Sequence, residues 1–104
     1  MSPDFSKGLV PAVVQNAETG KVLMLAYMDD EAWRKTRETG RAWFQSRERG
    51  LWEKGGTSGN VLQVVEVRLD CDRDAVLLRV RAGGPVCHTG ARSCFEAGAI
   101  ISLV

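Results

Sequence analysis

The chain has 104 residues, 26% of them charged and 44% hydrophobic, and a formal net charge of +1. That length supports one domain with a modest core and little apolar area to spare. A balance so near neutral gives no field to draw nucleic acid or an anionic membrane, and no apolar run is long enough to span a bilayer.

Residues 1–8 read as a flexible or loosely docked lead-in, without the apolar stretch of a secretory signal. Pro11–Gln15 and Lys21–Met28 read as strands joined by a turn at Glu18-Thr19-Gly20, which predicts a hairpin. The second run is apolar nearly throughout and is expected to be buried on both faces. Asp29 or Asp30 can cap a helix running to about Thr39, with Gly40 as its C′ residue and Asp30 and Glu31 in the first turn. Ala32, Trp33 and Thr36 form its less polar stripe, so the helix should lie on the sheet.

Arg41–Ser46 is expected to be a strand, and Arg47–Asn60 a loop rich in glycine and side-chain donors. Leu62–Leu69 and Ala75–Arg81 are strong strand patterns whose short connection allows only a hairpin or bend. Gly83-Gly84-Pro85 breaks the second of these, residues 86–96 read as an irregular loop, and the apolar tail 97–104 as an added strand or interface element. The whole is one α+β domain over 1–104, mostly β. Its expected form is a compact twisted mixed sheet or partial barrel with one or two short helices.

The connection at 70–74 reads Asp-Cys-Asp-Arg-Asp. In an extended strand Asp70, Asp72 and Asp74 would share one face and Cys71 the other. Three carboxylates on one face repel one another unless a cation sits among them, and hard oxygen donors suit Mg²⁺ or Ca²⁺. An EF-hand loop counted from Asp70 would need glycine and glutamate where Ala75 and Arg81 stand, so that pattern fails. A plain acidic turn is the bland alternative.

Cysteines number three, Cys71, Cys87 and Cys94. An odd count without a secretion signal argues for reduced thiols and a cytoplasmic location. Free cysteines are commonly small core residues, but two of these sit in a Gly/Pro/Ser/Thr loop beside His88, the only histidine. Three thiolates leave a fourth position open, as in a catalytic zinc site; His88 could instead close a structural Cys₃His site. Adjacent residues make awkward joint ligands, which places His88 better beside a metal, where it can shuttle a proton near neutral pH. No C-x-x-C supports a thiol redox protein. In the Arg47–Asn60 stretch, Lys54 precedes Gly55-Gly56, so it is not a Walker A loop, though its donors can wrap a phosphate.

Taken together, Val22–Met28, Ser46-Arg47, Leu51-Trp52, Lys54-Gly55, Thr57–Asn60, the Asp70–Asp74 run and Gly84-Pro-x-Cys-His-x-Gly-x-x-Ser-Cys-Phe95 resemble the phosphoribosyl-AMP cyclohydrolase family of histidine biosynthesis. The resemblance covers Gly8 to about Phe95 and leaves the tail outside. It implies Mg²⁺ on Asp70, Asp72 and Asp74, and Zn²⁺ on Cys71, Cys87 and Cys94. It also implies an intertwined homodimer in which Cys71 comes from the partner chain. Arg47, Arg49, Lys54, Thr57 and Ser58 become candidate substrate and phosphate contacts, and His88 the candidate catalytic acid–base. The implied reaction is zinc-dependent hydrolysis of the N1–C6 bond of 1-(5-phosphoribosyl)-AMP. Two positions depart from the family pattern: Glu48 stands where a serine is frequent, and Gln45 where an aromatic residue or histidine is usual. The alternative function is a structural-zinc binding module without catalysis.

Overall fold

The computed structural model describes residues 1–104. Its elements run β1 (Val10–Asn16), β2 (Val22–Met28), α1 (Asp30–Thr39), β3 (Trp43–Ser46), β4 (Gly50–Glu53), β5 (Leu62–Leu69), β6 (Val76–Ala82) and α2 (Cys94–Ala97). Four strands form a mixed sheet in the order β2-β1-β6-β5, with β1 parallel to β6 and the other two pairs antiparallel. β3 and β4 make an antiparallel ribbon. It is tied to β5 through Ala42 N–H to Leu62 O (3.0 Å) and Val64 N–H to Gly40 O (2.8 Å). The mixed sheet and short helices expected from the sequence are present, and the sheet does not close.

Alternation explains the core. Val10, Ala12 and Val14 of β1 and Val76, Leu78 and Val80 of β6 point to the same buried side of the sheet. Against them pack Leu23, Met24 and Met28 of β2, Ala32 and Trp33 of α1, Phe44 of β3, and Leu62. The helix begins as expected: the Asp29 carboxylate accepts from Ala32 N–H at 2.9 Å. It ends at Gly40 in the left-handed region, whose N–H donates to Thr36 O. Buried Thr36 joins the helix to β3, its hydroxyl accepting from Trp43 N–H at 3.0 Å.

Five expectations change. β2 is buried on one side only, since Val22, Leu25 and Tyr27 are exposed. It is one of the sheet's two edge strands, and α1 covers a single face. The stretch 47–60 is not all loop. It contains β4, paired Trp43↔Glu53 through Ser46↔Gly50, after a tight turn closed by Gly50 at φ +71°. The lead-in is docked rather than loose: Pro3 is buried, Phe5 packs on the core, and Asp4 N–H donates to Arg73 O at 2.7 Å. The stretch 86–96 ends in a helical turn, α2, capped by Ser93. No strand forms in the tail, where Ile100, Ile101, Leu103 and Val104 are exposed.

Candidate active site and metal-binding residues

The three aspartates do converge, though not by strand alternation. β5 ends at Leu69, and residues 70–75 form a turn. Arg73 adopts φ +63°, an uncommon conformation for a residue with a Cβ. Asp4 N–H holds the Arg73 carbonyl, and one Asp70 oxygen accepts from Asp74 N–H (2.9 Å) and Ala75 N–H (3.1 Å). The turn folds back on itself, and one oxygen from each of Asp70, Asp72 and Asp74 lies within 4.8 Å of the others. Asp74 is pushed up to about 6, first by its hydrogen bonds with Asp72 and Asp70 and then by desolvation and their charge. At Asp70 desolvation works upward, but hydrogen bonds from Asp74, Ala75 N–H, Asp74 N–H and Asp72 outweigh it and lower the pKa. The cluster therefore retains a shared proton near pH 6. Three exposed carboxylates that converge in this way are hard oxygen donors of the kind that suits Mg²⁺.

The thiols divide into a pair and a single. Cys87 is buried, and its sulfur accepts from the Thr89 hydroxyl at 3.1 Å. That bond, with one from Thr89 N–H and a smaller one from Cys94, lowers the Cys87 pKa. Burial and the neighbouring Cys87 raise that of Cys94. Lys54 lies close enough to pull both downward. Exposed Cys71 lies on the β5–β6 turn, at the other end of β6. Seven residues of β6 at ~3.3 Å each put roughly 20 Å between that turn and the Cys87 loop. One chain thus brings together two soft donors, Cys87 and Cys94, whose chemistry fits zinc.

Beside the thiol pair lies a cavity of about 340 Å³. Arg49, Lys54, Thr57 and Ser58 line it together with Cys87 and exposed His88. Gly55 makes this wall possible: it has φ +79°, and a Cβ there would lie 2.1 Å from Asn60 O. Of the five sequence-derived phosphate contacts, Arg47 alone stands outside the lining, in the exposed β3–β4 turn next to Glu48. Gln45 faces elsewhere too, its amide donating to the Asp29 carboxylate at 2.9 Å.

Two residues outside the sequence-derived candidates shape the site. Thr89 donates to Cys87 and is the largest influence lowering its pKa. Fully buried Ser93 donates to Val22 O at 2.7 Å and accepts from Phe95 N–H at 3.1 Å, fixing the Cys94 turn to β2. The signal for both was their place beside the cysteines; a serine before Cys94 is also a helix-cap residue type.

Comparison with known proteins bears on the same residues. The family profile described as phosphoribosyl-AMP cyclohydrolase matches residues 24–96. A Bacillus cereus protein named phosphoribosyl-AMP cyclohydrolase is 58% identical over 97 residues, covering 92% of this chain and 96% of its own. A Bacillus cytotoxicus protein of the same name is 55% identical over 97 residues, with the same coverage.

Proposed function

The chain belongs to the phosphoribosyl-AMP cyclohydrolase family, hydrolases of the histidine pathway, and from that premise we propose a zinc-dependent opening of the adenine ring at N1–C6. The observation that carries the zinc reading is the Cys87–Cys94 pair, with Thr89 on Cys87 and His88 at the mouth of a donor-lined cavity. Zinc, when bound by Cys87, Cys94 and a third cysteine, lowers the pKa of water from 15.7 to about 7. Asp70, Asp72 and Asp74 would hold Mg²⁺, which would supply a fixed positive charge for substrate oxygens.

The chain's own residues do the rest. His88 takes a proton from the water that adds to C6 and returns it to N1 as the N1–C6 bond breaks. The C6 hydroxyl loses its remaining proton to solvent, offsetting the proton the cationic ring brought in, and C6 carries the water oxygen as a carboxamide. Such proton transfer typically contributes about 10²–10⁴-fold. Lys54, Arg49, Thr57 and Ser58 offer two cations and two hydroxyls to phosphate oxygens in the same cavity. Each substrate phosphate held there orients C6 toward the thiol pair.

A homodimer completes the arrangement. Within one chain β6 separates Cys71 and the aspartates from Cys87 and His88, so the third thiol is supplied by a second copy. The uncovered sheet face suits that contact. Leu25 and Tyr27 are exposed on it, and an apolar hollow lined by Val13, Leu69 and Leu77 runs up to Asp70, next to Cys71.

The test is absorbance-monitored turnover of phosphoribosyl-AMP by metal-replete protein, by chelator-treated protein and by His88→Ala with zinc retained. Turnover by the first alone, with at least a hundredfold loss in the others, is expected. No turnover by metal-replete protein would sink the reading. His88→Ala within a few-fold of wild type would remove His88 from the proton path.

A further inference from the structure

We propose that the indole face of Trp52 is the docking face for the substrate's adenine ring, and that the Arg49 side chain occupies it until the ring displaces it. The inference deepens the reading above and rests on it. Trp52 is the one aromatic residue lining the cavity that holds Cys87 and His88. The other two tryptophans face cations of α1: Trp33 meets Arg37, and Trp43 meets Lys35.

Trp52 is set from behind and covered in front. Fully buried Phe44 packs against it at a 5.3 Å centroid distance and a 50° tilt, so the core fixes the ring's orientation. The Arg49 guanidinium lies over the ring with its central carbon 4.1 Å from the centroid. Arg49 takes part in none of the ion pairs. Its main chain is anchored by N–H donation to Ser46 Oγ at 2.9 Å, which leaves the exposed side chain free to swing. A contact of this kind at an exposed site is weak, so the cover is easily lifted.

The chemistry of the substrate supplies the displacing group. An adenine substituted on N1 becomes a stronger amidine base than adenine itself, and near neutral pH its ring is protonated. Tryptophan is the best aromatic partner for a cation. The cationic ring and the guanidinium thus compete for one face, and the winner is flat and large enough to cover the indole. Once displaced, Arg49 remains in a cavity that also offers Lys54, Thr57 and Ser58, where its fork suits a phosphate. Ring seating and phosphate capture are in this way coupled through a single side chain.

The test compares binding of AMP with that of 1-methyladenosine 5′-monophosphate, which keeps the phosphate and adds the ring charge, to the metal-replete wild-type protein. Intrinsic fluorescence reads the titration at neutral pH. The wild type should prefer the methylated nucleotide by about fivefold or more, the upper end of an exposed cation–aromatic contact. Trp52→Phe should reduce that ratio and Trp52→Leu should abolish it, with calorimetry reading the ratio where the indole is gone and circular dichroism checking the fold. A wild-type ratio near one, or a ratio unchanged in both variants, overturns the proposal. Turnover of phosphoribosyl-AMP by the same wild-type preparation tests the underlying reading separately. Turnover with a ratio near one overturns the Trp52 docking face and leaves the cyclohydrolase reading standing.

Discussion

Replacing Ser93 by alanine removes one oxygen that performs three tasks at a fully buried position. It donates to Val22 O at 2.7 Å, approaches Leu23 O at 3.3 Å, and caps α2 by accepting from Phe95 N–H at 3.1 Å. Val22 begins the edge strand β2, so its carbonyl regains solvent only partly when the hydroxyl goes. Leaving a partly buried carbonyl unpaired costs about 1–2 kcal/mol. Loss of an N-cap oxygen costs about 1 kcal/mol. The sum, roughly 2–3 kcal/mol, lowers the Tm of a domain this size by roughly 10–20 °C. Denaturant unfolding at fixed protein concentration measures the energy, because association makes stability concentration-dependent. Thiol labelling should show Cys94, the next residue, reacting faster in the folded variant. Ser102→Ala, on the exposed tail, serves as a control and should change stability by less than about 0.5 kcal/mol. A Ser93→Ala change as small as the control, with unaltered Cys94 labelling, would refute the assignment of Ser93 as the tie between β2 and the thiol loop.

Two further outcomes follow from the site's electrostatics. Thr89→Val in metal-free protein should move the pH midpoint of Cys87 alkylation upward, toward the free-thiol value, while Thr89→Ser keeps it low; mass spectrometry resolves the residue, and an unmoved midpoint would show that the hydroxyl is not what lowers it. For the aspartates, Asp74 at about 6 means that Mg²⁺ must expel a proton below that pH, so calorimetric affinity should fall between pH 7.5 and 5, with about half a proton released per Mg²⁺ at pH 6 and more at pH 5. The folded-state value lies above the unfolded one, so this group's contribution to stability is full below about pH 4 and is lost as pH rises through 6. Added Mg²⁺ should accordingly raise Tm more at pH 7 than at pH 5, and a pH-independent effect would count against the shared proton.

Local chemistry was legible in the sequence and long-range chemistry was not. Asp29 and Gly40 bound α1 because a cap and a left-handed glycine act within a few residues. The β5–β6 hairpin was equally plain, its strands differing from expectation by one residue at most. β4 was hidden because its four residues, Gly-Leu-Trp-Glu, carry no alternation and become a strand only by pairing with β3. The two-sided burial expected of β2 failed because hydropathy does not say which strand lies at an edge. The aspartates converged for a reason that alternation could not supply. Arg73 turns the chain into the left-handed region, held by an N–H from Asp4, some seventy residues earlier. For Arg49 the residue was readable but its posture was not, since stacking on Trp52 depends on where β4 places that ring.

The parallel pairing of β1 with β6 also sets a timetable for folding. Val14 lies opposite Leu78, so the first strand's neighbour is synthesised 64 residues later. At about 5–20 residues per second, β1 waits roughly 3–13 s on the ribosome for that partner. During the wait the β1–β2 hairpin and α1 can form, but the side of Val10, Ala12 and Val14 that β6 completes stays open. The nascent chain is therefore a half-built sheet with an apolar edge, and chaperone demand should peak before residue 80 emerges.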